Sequence, residues 1–400
     1  MLAYRLGVDT EREPLSPISP VSPISPTSPI APSYLFPDSW QRDERGQNQT
    51  IELADQLIAR GASELEYLRN LKRKGWEDEG MDTYFANQRF IADNAGPELN
   101  ITWFRRMKKV FGEIDRSALV PMFGSFTFLD LGCCPGGFSS YILKKNPQAS
   151  GIGISLPVEQ GGHQFSLEQE FLNRFTLYFA DLTRYSFSSS IPTDRSDIYV
   201  PIENHLGRSK FDLILLDGHH LRTNTNTLDW EIHQLLVSQL IIALEYVRLG
   251  GKLVIKLSRI ERVNTVKIIR LFDLISERIE AVKPMTMHAK RGSFYLVVHG
   301  VGWGTEGHRK EEFAEKLKEV WTELVFGGDE RQGRYLTLED LDFVVTTEDL
   351  IERSPDFLDK IVEIGRGVWQ GQIKGLEGLF RKNNVGHRGW GRSGDGLRRS

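Results

Sequence analysis

Apolar residues in the middle of this 400-residue chain fall into short runs separated by stretches with helical spacing. The runs TFLDL, GIGISL, TLYFA, FDLILLD, KLVIKL and SFYLVVHGV are rich in β-branched and aromatic residues, the composition of buried strands. Between them, apolar positions three and four apart predict helices starting at Gly137, near Ser166, from Asp229 to Arg248, and from Asn264. Strand and helix alternating in this way predict an α/β fold with a mostly parallel sheet covered on both faces. Helical spacing also fills both flanks. Upstream it runs from Gln49 to about Ile114, through Ile51, Leu53, Leu57 and Ile58, then Leu65, Leu68 and Leu71. Beyond Gly307, EEFAEKLKEVWTELV, TLEDLDFVV and PDFLDKIVEIGRGVWQGQI read as packed structural helices.

The two ends break the pattern. Residues 15–33 repeat Ser-Pro with a period of three, and proline at every third position removes amide donors and favours extended, polyproline-like backbone. The segment is expected to be disordered. It suits proline-directed kinases or a docking domain, and it suits a plain spacer equally well. The tail VGHRGWGRSGDGLRRS, rich in Gly and Arg, is also expected to be disordered. The expected division is therefore residues 1–45 disordered, 46–102 helical, 103–303 the α/β domain, 304–382 helical and 383–400 disordered.

A net charge of −4 argues against bulk electrostatic coating of nucleic acid, so any such contact must be local. Two basic clusters offer one: Lys72, Arg73 and Lys74, and Arg105, Arg106, Lys108 and Lys109 beside Trp103 and Phe104; each also fits a solvated helix face. The only cysteines, Cys133 and Cys134, are adjacent, which leaves no disulfide framework and favours a reducing, intracellular home in cytoplasm or nucleus. No secretory leader or membrane span is expected, because Gln239 and Glu245 interrupt the most apolar stretch.

The sharpest motif is FLDLGCCPGGFSSYIL: a strand ending at Asp130, then Gly132, Gly136 and Gly137 leading into a helix. Glycines at such a turn let backbone approach a nucleotide-like ligand closely, but the spacing differs from the GxGxxG of dinucleotide-binding folds. Asp217 closes the run FDLILLD and Lys256 closes KLVIKL, and charged groups at strand ends of an open α/β sheet stand where ligands bind. A buried structural aspartate and a lysine reaching for solvent are the plainer readings of these two.

The DLGxxPGGF turn resembles that of the FtsJ-like (RrmJ-like) family of ribose 2′-O-methyltransferases. The resemblance implies a Rossmann-like methyltransferase fold with a seven-stranded, mostly parallel sheet, S-adenosyl-L-methionine as cofactor and RNA as substrate. It implies that Asp130, Gly132, Cys133, Pro135, Gly136, Gly137 and Phe138 border the methionine moiety and ribose, with Asp217 close by. Asp181, in YFADLT, would accept the adenine amino group. The second strand departs from the pattern, with Ile154 and Ser155 where many methyltransferases place an acid for the ribose hydroxyls.

The family's Lys-Asp-Lys-Glu set would correspond to Lys109 (with Lys108 adjacent), Asp217, Lys256 and, at the glutamate's position in KRGSFYLVV, Ser293. Such a set suits ribose chemistry, since a sugar hydroxyl is a weak nucleophile and needs a base while the methyl group is held in line. His219 and His220 follow Asp217 closely enough to touch an acceptor, whereas Trp230 and Tyr246 read as core. Consecutive histidines without a cysteine at ligand spacing predict no metal site. Two other readings stay open: a cofactor-binding pseudoenzyme, which the serine would permit, and a methyltransferase with a non-RNA acceptor.

Overall fold

The computed structural model describes residues 44–93, 97–118, 120, 124–187, 199–219, 231–328 and 331–383. The Ser-Pro repeats, the Gly/Arg tail, His220 and Trp230 lie outside them. Seven strands form one sheet: β1 (Thr127–Leu131), β2 (Ser150–Ser155), β3 (Phe175–Phe179), β4 (Phe211–Leu216), β5 (Val247–Ser258), β6 (Ser276–Val282) and β7 (Ser293–Val301). Their order is β3-β2-β1-β4-β5-β7-β6, and only β7 runs antiparallel to its neighbours. Strand order reverses between β1 and β4, which opens a crevice at their carboxyl ends.

Four helices precede the sheet, α1 (Glu44–Ala59), α2 (Ser63–Trp76), α3 (Glu79–Asp93) and α4 (Pro97–Ala118). Within and after it come α5 (Gly137–Lys145), α6 (Glu203–Leu206), α7 (Glu231–Tyr246), α8 (Val263–Ile275), α9 (Lys310–Phe326), α10 (Thr347–Glu352) and α11 (Pro355–Asn383). Alternation along the strands assigns the two faces. Leu129, Leu131, Ile214, Leu216, Ile255 and Leu257 share a core with Leu53 of α1, Leu65 of α2, Trp321 of α9 and Trp369 of α11. Phe128, Leu213, Leu215, Val254, Tyr295 and Val297 pack on the other face with Phe111 of α4 and Phe138 of α5. The flanking helices thus share the sheet's core.

Three expectations need correction. Edge strand β6 (SERIEAV) carries no strand signal, because half of it faces solvent through Glu277 and Arg278. The helix expected near Ser166 is a six-residue 3₁₀ turn, Gln169–Arg174, and that in TLEDLDFVV is one 3₁₀ turn, Glu339–Leu341. Among the described residues no helix is long and apolar enough to cross a membrane.

Candidate functional site

Parity decides which strand residues meet. Asp130 shares the face of Phe128, Asp217 follows Leu213 and Leu215 in register, and Lys256 follows Val254, so all three emerge on the face covered by α4 and α5. Across the antiparallel β5–β7 ladder Lys256 stands opposite Tyr295 and Ser258 opposite Ser293. Side chains of directly opposed residues share a face, so Lys256, Tyr295 and Ser293 converge.

Lys256 Nζ lies 3.2 Å from Asp217 Oδ1, and the Tyr295 hydroxyl donates to the same oxygen at 2.8 Å. Asp217 and Tyr295 are buried, whereas a fifth of the Lys256 side chain is exposed, so the lysine faces the mouth of the crevice. Burial, then the Asp217 carboxylate, push the Tyr295 hydroxyl well above its ordinary pKa, keeping it a donor. His219 stands at the exposed rim with Nδ1 3.3 Å from Lys256 Nζ, and that cation lowers its pKa, so the imidazole is neutral. His288 Nδ1 lies 2.8 Å from the Ser293 hydroxyl and Nε2 3.4 Å from the Tyr295 hydroxyl.

Asp130 is buried and accepts the Ser139 hydroxyl at 2.6 Å. Desolvation, opposed by that bond and reinforced by Asp217, raises its pKa to about 7. The turn after Asp130 closes through Gly132, whose amide bonds the Ile154 carbonyl at 2.8 Å. Its glycines serve packing as much as any ligand. A Cβ on Gly132 would sit 2.4 Å from Gly218 Cα, and one on Gly137 would sit 2.5 Å from Met107 Cβ of α4. Cys133 and Phe138 turn into the core, Phe138 against Tyr295 and Phe111, and the Pro135 carbonyl accepts the Ser166 amide. Asp181 caps the 3₁₀ turn Leu182–Arg184, its Oδ1 receiving the Thr183 amide and hydroxyl. Ser155, at the end of β2, accepts the Cys134 amide at 3.3 Å.

The two lysines of α4 part company. Lys108 turns inward and bonds Glu168 at 2.7 Å, which also receives the Ser140 hydroxyl. Lys109 is exposed, and among the described residues no hydrogen bond or ion pair joins it to Asp217 or Lys256. The sequence also gave no hint of Gln239, read only as an interruption of an apolar run: buried, it clasps Gly218 through both backbone groups, at 3.0 and 3.1 Å, and so holds the residue after Asp217. Tyr246 is core, as expected.

The crevice suits a cationic nucleotide-like cofactor. Asp130 and Asp217 bring two buried carboxyl groups to the carboxyl ends of β1 and β4, and the α5 amino terminus, entered through Gly136 at φ +102°, suits a carboxylate.

Comparison with known proteins agrees with the geometry. The family model for FtsJ-like methyltransferase, a class whose methyl donor is S-adenosylmethionine, matches residues 107–301, the stretch that holds the site. The chain is 29% identical over 203 residues to cap-specific mRNA (nucleoside-2′-O-)-methyltransferase 1 of Danio rerio, over 48% of this chain and 23% of that protein. Against the protein of the same name from Bos taurus the identity is 27% over 261 residues, 62% of this chain and 29% of that one. The chain thus spans less than a third of the length of these relatives. A ribosomal RNA methyltransferase structure from Plasmodium falciparum, 19% identical over 47% of this chain and 93% of that one, superposes with a TM-score of 0.33, too slight a likeness to bear on function.

Proposed function

We propose that the chain transfers methyl from S-adenosylmethionine to a ribose 2′-hydroxyl of RNA. The observation that carries this is the Lys256–Asp217 pair, a partly exposed amine 3.2 Å from a buried carboxylate at the switch point of the sheet. The cofactor, when bound, supplies a methyl group on a cationic sulfur. Asp130, Gly132, the turn from Cys133 to Phe138, and Asp181 are the residues proposed to hold it. Asp217 orients Lys256, which gives up a proton through its exposed side before the transfer and then takes the acceptor hydroxyl's proton, as the oxygen bonds the methyl carbon and the carbon–sulfur bond breaks. Tyr295, bonded to Asp217, holds the carboxylate in place. His219 stands at the rim where an acceptor enters. Lys109, exposed beside Arg105 and Arg106, suits a phosphate better than the reacting hydroxyl.

Relatives named for mRNA cap methylation favour an RNA acceptor and an intracellular site of action. The Ser-Pro repeats offer proline-directed kinases five Ser-Pro acceptors, from Ser16 to Ser28. A binding-only role is favoured by one observation, Ser293 at the family's glutamate position. Both readings meet one experiment: transfer of labelled methyl to RNA, followed by digestion to nucleosides. The proposal expects label in 2′-O-methylnucleosides and none when the acceptor ribose is 2′-deoxy. Label in bases, or no label with cofactor bound, contradicts it.

A further inference from the structure

The loop between β6 and β7 buries a histidine, His288, and α3, α4 and α11 all hold that loop. Lys283 Nζ bonds the Arg291 carbonyl and, at 2.7 Å, the Ser293 carbonyl, tying the loop's two ends together. The Glu113 carboxylate of α4 receives the Met285 and Thr286 amides, at 2.6 and 3.2 Å, and the Thr286 hydroxyl. Lys290 donates to the Tyr84 hydroxyl of α3 at 2.7 Å. Gly375 of α11 lets the helix lie against Ala289, whose carbonyl a Cβ there would approach to 2.3 Å. At the loop's tip Met287 takes φ +66°, a conformation side-chain-bearing residues rarely adopt, and His288 follows it into the interior.

The contact between Nε2 and the Tyr295 hydroxyl, taken as a hydrogen bond, sets the donor and acceptor roles there. The Tyr295 hydroxyl gives its proton to Asp217, so toward His288 it can only accept. His288 therefore carries its proton on Nε2, and bare Nδ1 accepts from Ser293 Oγ at 2.8 Å. The chain of bonds reads Ser293 to His288 to Tyr295 to Asp217, and Asp217 meets Lys256.

We infer that His288, paired with Ser293, stands in for the missing glutamate as a positioning residue, steering the Tyr295 hydroxyl and through it the Asp217 carboxylate against Lys256. The inference rests on the methyl-transfer reading for its consequence, but not for its wiring. Burial, then the charges of Lys256, Lys283 and Arg291, depress the imidazole's pKa well below its ordinary value. A neutral ring thus replaces an anion.

The wiring is read by nitrogen-15 spectra of histidine-labelled protein, with His288 assigned by its loss in His288→Gln. The expected ring at pH 7 is neutral and protonated on Nε2, with Ser293→Ala perturbing Nδ1. The consequence is read by single-turnover methyl transfer. His288→Ala is expected to lose tenfold or more in rate, with cofactor affinity within twofold and the RNA KM unchanged. Ser293→Glu in that background is expected to restore at least a third of the lost rate. His288→Gln serves the same assay if His288→Ala fails to fold. A cationic or Nδ1-protonated ring overturns the inference, as does wild-type transfer by both His288 variants. If the wild type transfers no methyl to RNA while the ring reads as expected, the acceptor assignment falls and the wiring stands.

Discussion

Gly132 makes the turn after β1 possible at φ +77°, where any Cβ would meet Gly218. Gly132→Ala is therefore expected to cost at least ~2 kcal/mol in denaturant melts and to abolish cofactor binding by calorimetry. Wild-type stability and affinity would contradict the assigned packing. Asp130 gives a prediction in pH. Its folded-state pKa, about 7, exceeds the unfolded 3.8, so between these values only the folded chain keeps the proton. That group's contribution to stability falls as pH rises through this window and is flat above it. Asp130→Asn, read without cofactor, should gain on the wild type from pH 5 to about 7 by roughly 1 kcal/mol per pH unit, then level off. An advantage independent of pH would show that the carboxyl ionises freely. Asp130, Asp217 and Lys256 were legible in sequence because each sits at or beside the end of an apolar run, where a charged residue has few reasons to be. His288 was not legible. It follows no periodicity and reaches Ser293 only because a braced loop folds back.

Elements were read well where their pattern follows from burial on both sides, as in β1, β4 and β5, and poorly where one side meets water, as in β6. The amino-terminal lysine shows the same rule at work on a helix. Phe104, Phe111 and Ile114 define the buried stripe of α4, and Lys108, four residues after Phe104, lies beside it, whereas Lys109 falls on the exposed side. Reading that stripe from sequence would have separated the two. The carboxyl-terminal helices, expected to be structural, contribute more than bulk. Trp369 of α11 is buried and donates to Glu261 at 3.3 Å, and Glu261 pairs with Lys72 of α2. Trp369→Ala should cost about 3–5 kcal/mol, seen as a lower urea midpoint with the slope unchanged. A loss under 1 kcal/mol would mean that α11 docks independently of the core.

At the scale of the whole molecule, a net charge of −4 makes RNA affinity depend on where the cations stand. Arg105, Arg106 and Lys109 are all exposed on α4, whose inner face packs on the Gly137 turn. Replacing all three with alanine is expected to weaken RNA binding and to lower the slope of log K against log salt by about 2, leaving cofactor affinity unchanged. An unchanged slope would place the RNA elsewhere. The methyl-transfer account itself depends on one pair of side chains. The most direct test compares single-turnover transfer to RNA by the wild type, Lys256→Ala and Asp217→Asn, with cofactor binding followed in parallel. A loss of roughly 10²-fold or more in rate for Lys256→Ala, with cofactor still bound, is the predicted result. Transfer at the wild-type rate by Lys256→Ala would contradict it.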